Sequence, residues 1–283
     1  MSYHVVRVSN DWLQLREPAD AAARSRELVE QLAGRPRARG RWVVHDLGGG
    51  TGSMGRWLAP LLQGPQHWVV HDRDADLLAL AELPRTAADG AAVTFETKAS
   101  DITRLQPADL AGATLITASA LLDMLTEDEL ARLLSACAGA GCPSLLSLSV
   151  VGRVAMKPTD PLDDRVAAAF NDHQRRTTGR GRLLGPDAAG VAAEQFERLG
   201  AEVHVRSSPW RLGAADAKLA EVWFTGWVRA ACEQQPELSA QAEAYTCGRL
   251  AQAAAGQLEV SVEHADVLAL PGRQSVSNRD ESA

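Results

Sequence analysis

A glycine-rich stretch preceded by an acid is the segment of this sequence best suited to bind a ligand. It reads Val43-Val-His-Asp46-Leu-Gly48-Gly-Gly50-Thr-Gly52-Ser-Met-Gly55. Glycines adopt positive φ angles and let the backbone approach a ligand closely, and a helix that follows such a loop offers unpaired N–H groups. Because an apolar run precedes the loop and a helical pattern follows it, the segment predicts a ligand-binding turn between a strand and a helix.

Two classes of cofactor bind to loops of this kind. Gly50-x-Gly52-x-x-Gly55 matches the dinucleotide fingerprint, and Asp72 lies where an acid that binds the ribose is expected. Asp46 does not fit that interpretation, because its charge would lie beside a pyrophosphate. S-adenosylmethionine (SAM) carries an ammonium and a sulfonium group instead of phosphate, so an acid at the loop would favour its binding.

The pattern Asp46-x-Gly48-x-Gly50-x-Gly52 resembles motif I of the class I SAM-dependent methyltransferases, in particular the bacterial enzymes that act on small molecules. The resemblance implies that Asp46 and the backbone at Gly48, Gly50 and Gly52 surround the methionine part of the cofactor.

Three further residues follow later strands in the order that the same family shows. The resemblance implies that Asp72 accepts hydrogen bonds from both ribose hydroxyls and that Asp101 meets the adenine amino group. Ser119 belongs to the segment after the fourth strand, where the family lines the pocket near the transferred methyl group. The expected cofactor is therefore SAM.

Two residues are candidates for removing a proton from a methyl acceptor. His173 falls in the long connection between the fifth strand and the helix after Pro186, and such connections face the ligand crevice of a doubly wound sheet. Its ordinary pKa suits a general base, but a surface histidine explains it equally well. Asp123, just past the fourth strand, is the second candidate, and helix capping near Thr126 is its alternative interpretation.

Charged and histidine clusters elsewhere have two interpretations each. Arg175, Arg176, Arg180 and Arg182 could bind a carboxylate or phosphate of an anionic acceptor, although a solvated, arginine-rich loop is the favoured interpretation. The His45-Asp46 and His71-Asp72 pairs lack a further cluster of ligands, so no metal is expected.

Composition excludes several other classes of protein. The 283 residues carry a net charge of −7, which argues against a general nucleic-acid binder. No apolar run reaches the roughly 18 residues of a membrane span, and the start lacks a signal-peptide pattern. Four cysteines without a Cys-x-x-Cys pair predict a reduced, cytoplasmic protein.

Short β-branched apolar runs alternate with helical patterns from residue 41 onward, which predicts an α/β fold with a doubly wound, mostly parallel sheet. The predicted strands contain residues 42–44, 68–70, 93–95, 114–116 and 145–148, with later strands at 203–205 and 258–270. We expect seven strands, ending in a C-terminal antiparallel β-hairpin like that of the family. The predicted organisation is an N-terminal helical cap (1–40), a Rossmann-like SAM-binding domain (41–271) and a disordered tail (272–283).

The combined interpretation is an enzyme that transfers a methyl group from SAM to an oxygen, nitrogen or carbon atom of a small-molecule acceptor. Two alternatives remain at this point. One is an NAD(P)-dependent oxidoreductase, and the other is a non-catalytic SAM-binding scaffold or regulator of the same fold. The identity of the acceptor and the oligomeric state are not predicted.

Overall fold

The computed structural model describes residues 8–34 and 40–272 of the chain. Its strands are β1 (Trp42–Leu47), β2 (Gln66–Asp72), β3 (Val93–Ala99), β4 (Leu115–Ser119), β5 (Ser144–Lys157), β6 (Thr177–Thr178), β7 (Gly181–Arg182), β8 (Glu202–Ser207), β9 (Trp210–Leu212) and β10 (Glu259–Leu270). Its α-helices are α1 (Asn10–Ala23), α2 (Arg26–Ala33), α3 (Ser53–Leu58), α4 (Ala75–Leu78), α5 (Glu127–Gly139), α6 (Asp163–Gln174), α7 (Ala188–Arg198), α8 (Ala217–Gln234) and α9 (Ser239–Ala254).

The main sheet has the strand order β3-β2-β1-β4-β5-β10-β8, with β9 paired to β10. Strands β3, β2, β1, β4 and β5 run parallel, whereas β10 is antiparallel to both β5 and β8. The strand order reverses between β1 and β4, and ligands bind outside the carboxyl ends of the strands at such a point. The predicted doubly wound α/β fold with a C-terminal antiparallel strand pair is confirmed.

Three hydrophobic cores stabilise this arrangement. One forms around α5 and α7, with Leu130, Leu134 and Phe196 buried against the sheet. The second contains Leu28 of α2 and Trp68 of β2. The third lies apart from these two, between β9, β10 and the helices α6, α8 and α9. A layer of helices with its own core therefore lies beside the sheet, on the side to which β5 and β10 extend.

The fifth strand is longer than the sequence pattern predicts. The apolar run ends at Leu148, but β5 continues to Lys157 and pairs with β10 along its length, with two shifts in register. Leu148 has a φ of 57°, so the strand bends where the apolar run stops. The extension carries the strand pair beyond the rest of the sheet and toward α8.

The N-terminal segment also differs from its prediction in detail. The apolar spacing of Leu28, Val29 and Leu32 predicts one helix over residues 18–32. That prediction is wrong: α1 and α2 are separate, and Ser25 caps α2 by accepting a hydrogen bond from the Leu28 N–H. The chain turns there because the Ser25 N–H donates to the Asp266 carboxylate at 2.8 Å. The tail predicted to be disordered lies outside the described residues except for Gly272.

Asp266 is fully buried in β10 and joins three separate segments. Its carboxylate accepts hydrogen bonds from the backbone N–H groups of Ser25 and Leu148 and from the Ser208 hydroxyl, at 2.8, 2.8 and 2.6 Å. Burial raises the pKa of this carboxyl group, while the three donors oppose that rise. A buried carboxylate is tolerated only when its hydrogen-bonding capacity is met in this way.

We expect Asp266→Ala to lower the free energy of unfolding by about 3 kcal/mol, because three buried donors lose their acceptor. Urea unfolding followed by tryptophan fluorescence measures the change. Glu259→Ala, on the exposed start of the same strand, is the matched control and should change stability by less than about 0.5 kcal/mol. Equal losses in the two variants would contradict the role given to Asp266.

Candidate active site

The glycine loop connects β1 to α3 at the carboxyl end of the sheet. Gly48, Gly50 and Gly52 have φ angles of 68°, 51° and 86°, which L side chains rarely adopt. Gly49 must be glycine for a steric reason, because a Cβ atom there would lie 2.5 Å from Oδ2 of Asp46. The loop therefore wraps closely around the Asp46 carboxylate.

Asp46 is fully buried at the end of β1, and its two carboxylate oxygens differ. Oδ1 accepts a hydrogen bond of 2.7 Å from the Thr117 hydroxyl. Oδ2 has no hydrogen-bond partner within the described residues. Burial raises the pKa of Asp46 to about 6, although the Thr117 hydrogen bond and the charge of Arg24 act in the opposite direction. The loop thus contains one unpartnered acceptor that a cationic group would satisfy.

Asp72, at the end of β2, is hydrogen-bonded to the same loop. Its Oδ2 accepts from the Gly50 N–H at 3.0 Å, and its Oδ1 accepts from the Asp74 N–H at 2.9 Å. Each carboxylate oxygen has a second lone pair, so Asp72 retains the capacity to accept from a ligand.

Asp101 follows β3 and is exposed. Its Oδ1 accepts from the Thr103 N–H and hydroxyl at 3.0 and 2.7 Å. Burial acts to raise its pKa, but these hydrogen bonds and the charge of Arg104 lower it overall.

A cavity of about 420 Å³ brings most of the predicted cofactor residues together. The predicted residues that line it are Asp46, Gly48, Gly50, Asp72, Asp101 and Ser119. Gly52 is not part of its lining: a Cβ atom there would lie 2.8 Å from Leu83 Cδ1 and 3.0 Å from the Glu82 carbonyl oxygen. Gly52 is therefore the N-cap residue of α3 and packs against the chain behind the loop.

Sequence reasoning missed Arg24, which lies behind this cavity and is 3% exposed. Its Nη2 donates to Ser119 Oγ at 3.0 Å, and its guanidinium lies 5.5 Å from the centre of the Trp57 ring. Burial lowers its pKa, and the charges of Asp20, Asp46 and Asp266 oppose that shift. No local pattern could have revealed Arg24, because Asp46, Ser119 and Asp266 are far away in the sequence.

A second cavity, of about 740 Å³, adjoins the first. Trp12, Arg16, Ala120 and Asp123 line both cavities. Asp123 is only partly exposed, accepts a 3.5 Å contact from the Gln174 amide, and has its pKa raised by burial. Ala120 has a φ of 51°, an unfavourable value for a residue with a side chain, and such conformations cluster at functional sites.

His173 does not lie where the sequence pattern predicts. It is in the last turn of α6 and not in a loop, because residues 163–174 form one helix. It is absent from the lining of both cavities, and its backbone carbonyl accepts from Arg176. Burial lowers its pKa, and so does the nearby Arg176 charge.

Two residues of the arginine cluster are paired with carboxylates. Arg175 forms a two-point ion pair with Asp187 at 2.6 and 2.7 Å, and Arg180 bonds Glu129 at 2.9 Å. These pairs stabilise the segment between α6 and α7.

His45 and His71 form a buried pair beside the glycine loop. His71 Nε2 lies 3.0 Å from His45 Nδ1, and His71 Nδ1 lies 3.1 Å from Ser100 Oγ. Burial lowers the pKa of both residues, that of His71 to about 4. Within residues 8–34 and 40–272, no group of three His, Cys, Asp or Glu side chains is arranged to hold a metal ion. The pair instead fixes the segment that precedes Asp101.

The strand order and the position of the site define the class of fold. Five parallel strands, a reversed strand between β5 and β8, and a cavity where the strand order changes form a Rossmann-like, doubly wound α/β fold. In the described part of the chain, no helix is long and apolar enough to cross a bilayer.

No protein-family model and no curated protein sequence matches the chain. Among solved structures, it is similar to a cyclopropane synthase from Mycobacterium tuberculosis, with 13% identity, a TM-score of 0.49, and coverage of 93% of this chain and 94% of that chain. It is also similar to a SAM-dependent methyltransferase from Geobacter sulfurreducens in complex with S-adenosyl-L-homocysteine. That pair shares 15% identity, with a TM-score of 0.45 and coverage of 94% and 100%. Identities and scores this low carry no conclusion about chemistry.

We expect the unaltered protein to lose stability between about pH 4 and pH 7 through Asp46, and Asp46→Asn to lack that loss. The difference in free energy of unfolding between the two proteins should therefore shift in favour of the variant, by up to about 3 kcal/mol. The folded-state pKa of about 6 lies above the ordinary value of 3.8, so the folded protein holds a proton that the unfolded chain releases. The stability that this proton confers is lost as pH rises through the folded pKa, and the amide variant lacks that loss. Urea unfolding at a series of pH values measures the difference.

The matched variant Asp101→Asn should show a nearly constant difference over the same pH range, because the pKa of Asp101 is lowered and its contribution is lost only as pH falls below the ordinary value of 3.8. A pH-independent difference between Asp46→Asn and the unaltered protein would mean that Asp46 is not buried as described.

Proposed function

We propose that this chain is a SAM-dependent methyltransferase that methylates a small molecule. The observation that carries the proposal is the unpartnered, buried Oδ2 of Asp46 in a cavity that also contains Asp72 and Asp101. The α-ammonium group of SAM would satisfy Asp46, the ribose hydroxyls would donate to Asp72, and the adenine amino group would donate to Asp101. Ser119, held by Arg24, would lie near the methionine part.

The arrangement of the glycines supports SAM over a dinucleotide. In the dinucleotide fingerprint, the second glycine lets the backbone approach the pyrophosphate. The corresponding Gly52 is covered by Leu83 and Glu82 and does not line the cavity. The Asp46 carboxylate would also repel a phosphate. These two features disfavour the oxidoreductase alternative.

The second cavity supports catalysis over a purely regulatory role, because it provides room for an acceptor beside the cofactor. SAM supplies a methyl group on a positively charged sulfur, which accepts the electron pair of the broken bond. The chain's own contribution would be to position the acceptor at the boundary of the two cavities and to take a proton where the acceptor has one to lose. Asp123 is suited to that second task, since it lines both cavities.

Several finer expectations belong to this proposal. An anionic acceptor gains no support from Arg175 and Arg180, which are paired with carboxylates. Residues 1–40 would act as a cap on a catalytic domain formed by residues 41–271. A reduced, cytoplasmic setting is supported by the four cysteines, all of which are free thiols.

SAM and S-adenosylhomocysteine should raise the melting temperature, while NAD and NADP should not. Binding to the folded state alone adds about 2.7 kcal/mol of stability at a ligand concentration of 100 times Kd. Differential scanning fluorimetry with each ligand separates the two cofactor classes. Stabilisation by NADP alone would assign the chain to the oxidoreductases.

Titration calorimetry of two Asp72 variants then tests the site itself. Asp72→Ala should weaken SAM binding by about 1–3 kcal/mol through loss of a charged acceptor, and Asp72→Asn should weaken it less. Asp128→Asn, on the exposed surface of α5, is the control that should bind normally. Unchanged affinity in both Asp72 variants would contradict the proposed ribose site.

We expect Asp123→Asn to lower kcat by about 10²–10⁴-fold while leaving SAM affinity nearly unchanged, if the acceptor loses a proton during transfer. His173→Ala is the comparison variant and should retain most of the activity, because His173 lines neither cavity. Methylation of an identified acceptor by the purified variants provides the rates. The reverse pattern would make His173 the base.

A further inference from the structure

Aromatic side chains from four segments surround the second cavity. They are Trp12, Phe170, Trp210, Trp223 and Trp227. Trp223 and Trp227 lie parallel within 21°, with ring centres 5.4 Å apart, and Phe170 lies 6.4 Å from Trp227. Flat walls of this kind favour flat ligands, since aromatic rings gain stabilisation from offset stacking beyond their buried area. A volume of about 740 Å³ is within the ordinary range for small-molecule sites.

His264, on β10, contributes a polar group to this apolar lining. Its side chain is 4% exposed, and Nδ1 has no hydrogen-bond partner in the described chain. Burial and the nearby Arg16 charge lower its pKa to about 4, although a hydrogen bond with the Val262 backbone and the charge of Glu263 act in the opposite direction, so the imidazole is neutral near pH 7. A neutral imidazole offers one donor and one acceptor, and a hydroxyl group can pair with either.

Trp227 contributes a second unmet polar group. The residue is 2% exposed, and its indole Nε1, which can only donate, has no partner among the described residues. A buried donor without an acceptor is costly, and a ligand oxygen would remove that cost. Two polar residues on opposite elements, β10 and α8, thus have unmet hydrogen-bonding capacity in a cavity that is otherwise mostly aromatic.

The charges around the cavity argue against a cationic ligand. Arg16 already covers two indole rings, with its guanidinium 5.8 Å from the Trp12 ring centre and 5.0 Å from that of Trp210. The same guanidinium is held by Asp20 at 2.9 and 3.1 Å. The charged residues of the lining balance, with Arg16, Arg153 and Arg229 against Asp123, Glu221 and Glu263. No net charge therefore draws a cation, and the indole face left open, that of Trp223, suits a neutral ring.

We propose that this cavity binds a neutral, planar aromatic ring system that carries a hydroxyl group, with His264 hydrogen-bonded to that hydroxyl. The inference rests on the proposed function, because it describes the acceptor of the same methyltransferase site. The ring lies against the Trp223 indole, which is itself stacked on Trp227, and a ligand oxygen accepts from Trp227 Nε1.

Calorimetric titration with 2-naphthol, naphthalene and decahydro-2-naphthol tests the proposal on the full chain. We expect 2-naphthol to bind more tightly than the other two probes. His264→Phe should weaken 2-naphthol binding by about three- to tenfold, as expected for one lost hydrogen bond, and should leave naphthalene binding unchanged. His204→Phe, on β8 and outside the cavity lining, is the matched control that should bind all three probes normally.

The naphthalene affinity separates a lost hydrogen bond from a damaged cavity, since damage would weaken both aromatic probes equally. If His264→Phe does not fold, Trp227→Phe replaces it, because it removes the indole N–H and keeps an aromatic ring; its expected effect is the same. Equal binding of 2-naphthol and decahydro-2-naphthol would overturn the proposal. So would an unchanged ratio of 2-naphthol to naphthalene affinity in the variant, or tetramethylammonium binding that displaces 2-naphthol.

The same samples are titrated with S-adenosylhomocysteine. Failure of that ligand to bind, with the 2-naphthol preference intact, would remove the proposed methyltransferase function and leave the aromatic site in place. Binding of S-adenosylhomocysteine without any 2-naphthol preference would remove the aromatic site and leave the proposed methyltransferase function in place.

Discussion

A buried cation surrounded by carboxylates joins the N-terminal helices to the ends of the central strands. The charges of Asp20, Asp46 and Asp266, which come from α1, β1 and β10, act on the buried Arg24 guanidinium, whose hydrogen bonds go to Ser53 and Ser119. Burying these charges is tolerable only while they remain together, since each would be strongly destabilising alone. Asp20 extends the network, because it also binds Arg16 and accepts from the Trp210 indole at 2.9 Å. The walls of both cavities therefore depend on one set of buried charges.

Two residues near these charges have unusual backbone conformations. Ala120 and Leu148 have φ angles of 51° and 57° at the ends of the β4 segment and the apolar part of β5. The Leu148 N–H donates to Asp266, and the Ala120 N–H donates to the Ser147 carbonyl at 2.9 Å. Each residue is held in a conformation that costs about 1–2 kcal/mol. Because both residues line the second cavity, the bends open the space between the sheet and α8.

The carboxylates that line the cavity at the glycine loop could be brought together from the sequence, whereas the lining of the second cavity could not. Asp46, Asp72 and Asp101 each follow a short apolar run, and parallel strands bring such positions to one edge. Arg24 and Asp266 are separated by more than two hundred residues, and a local pattern carries no information about such a pair. The polar run from Asn171 to Arg176 predicts a loop at His173, whereas the structure has the end of α6 there. The apolar face of this helix is too weak to be recognised in the sequence, since it buries only Val166 and Ala169.

The acceptor cavity draws most of its aromatic wall from the third hydrophobic core, which is separate from the two cores that pack on the sheet. Trp223 and Phe170 belong to that core and line the cavity, whereas the glycine loop belongs to the sheet. Substitutions on α6 and α8 can therefore alter the shape of the acceptor cavity without disturbing the loop that would hold the cofactor. The fixed connection between the two parts is α1, since Trp12 and Arg16 contact both cavities and Asp20 anchors them to Arg24. In the proposed function, helix α1 would thus set the distance between cofactor and acceptor, while α6 and α8 would determine which acceptor fits.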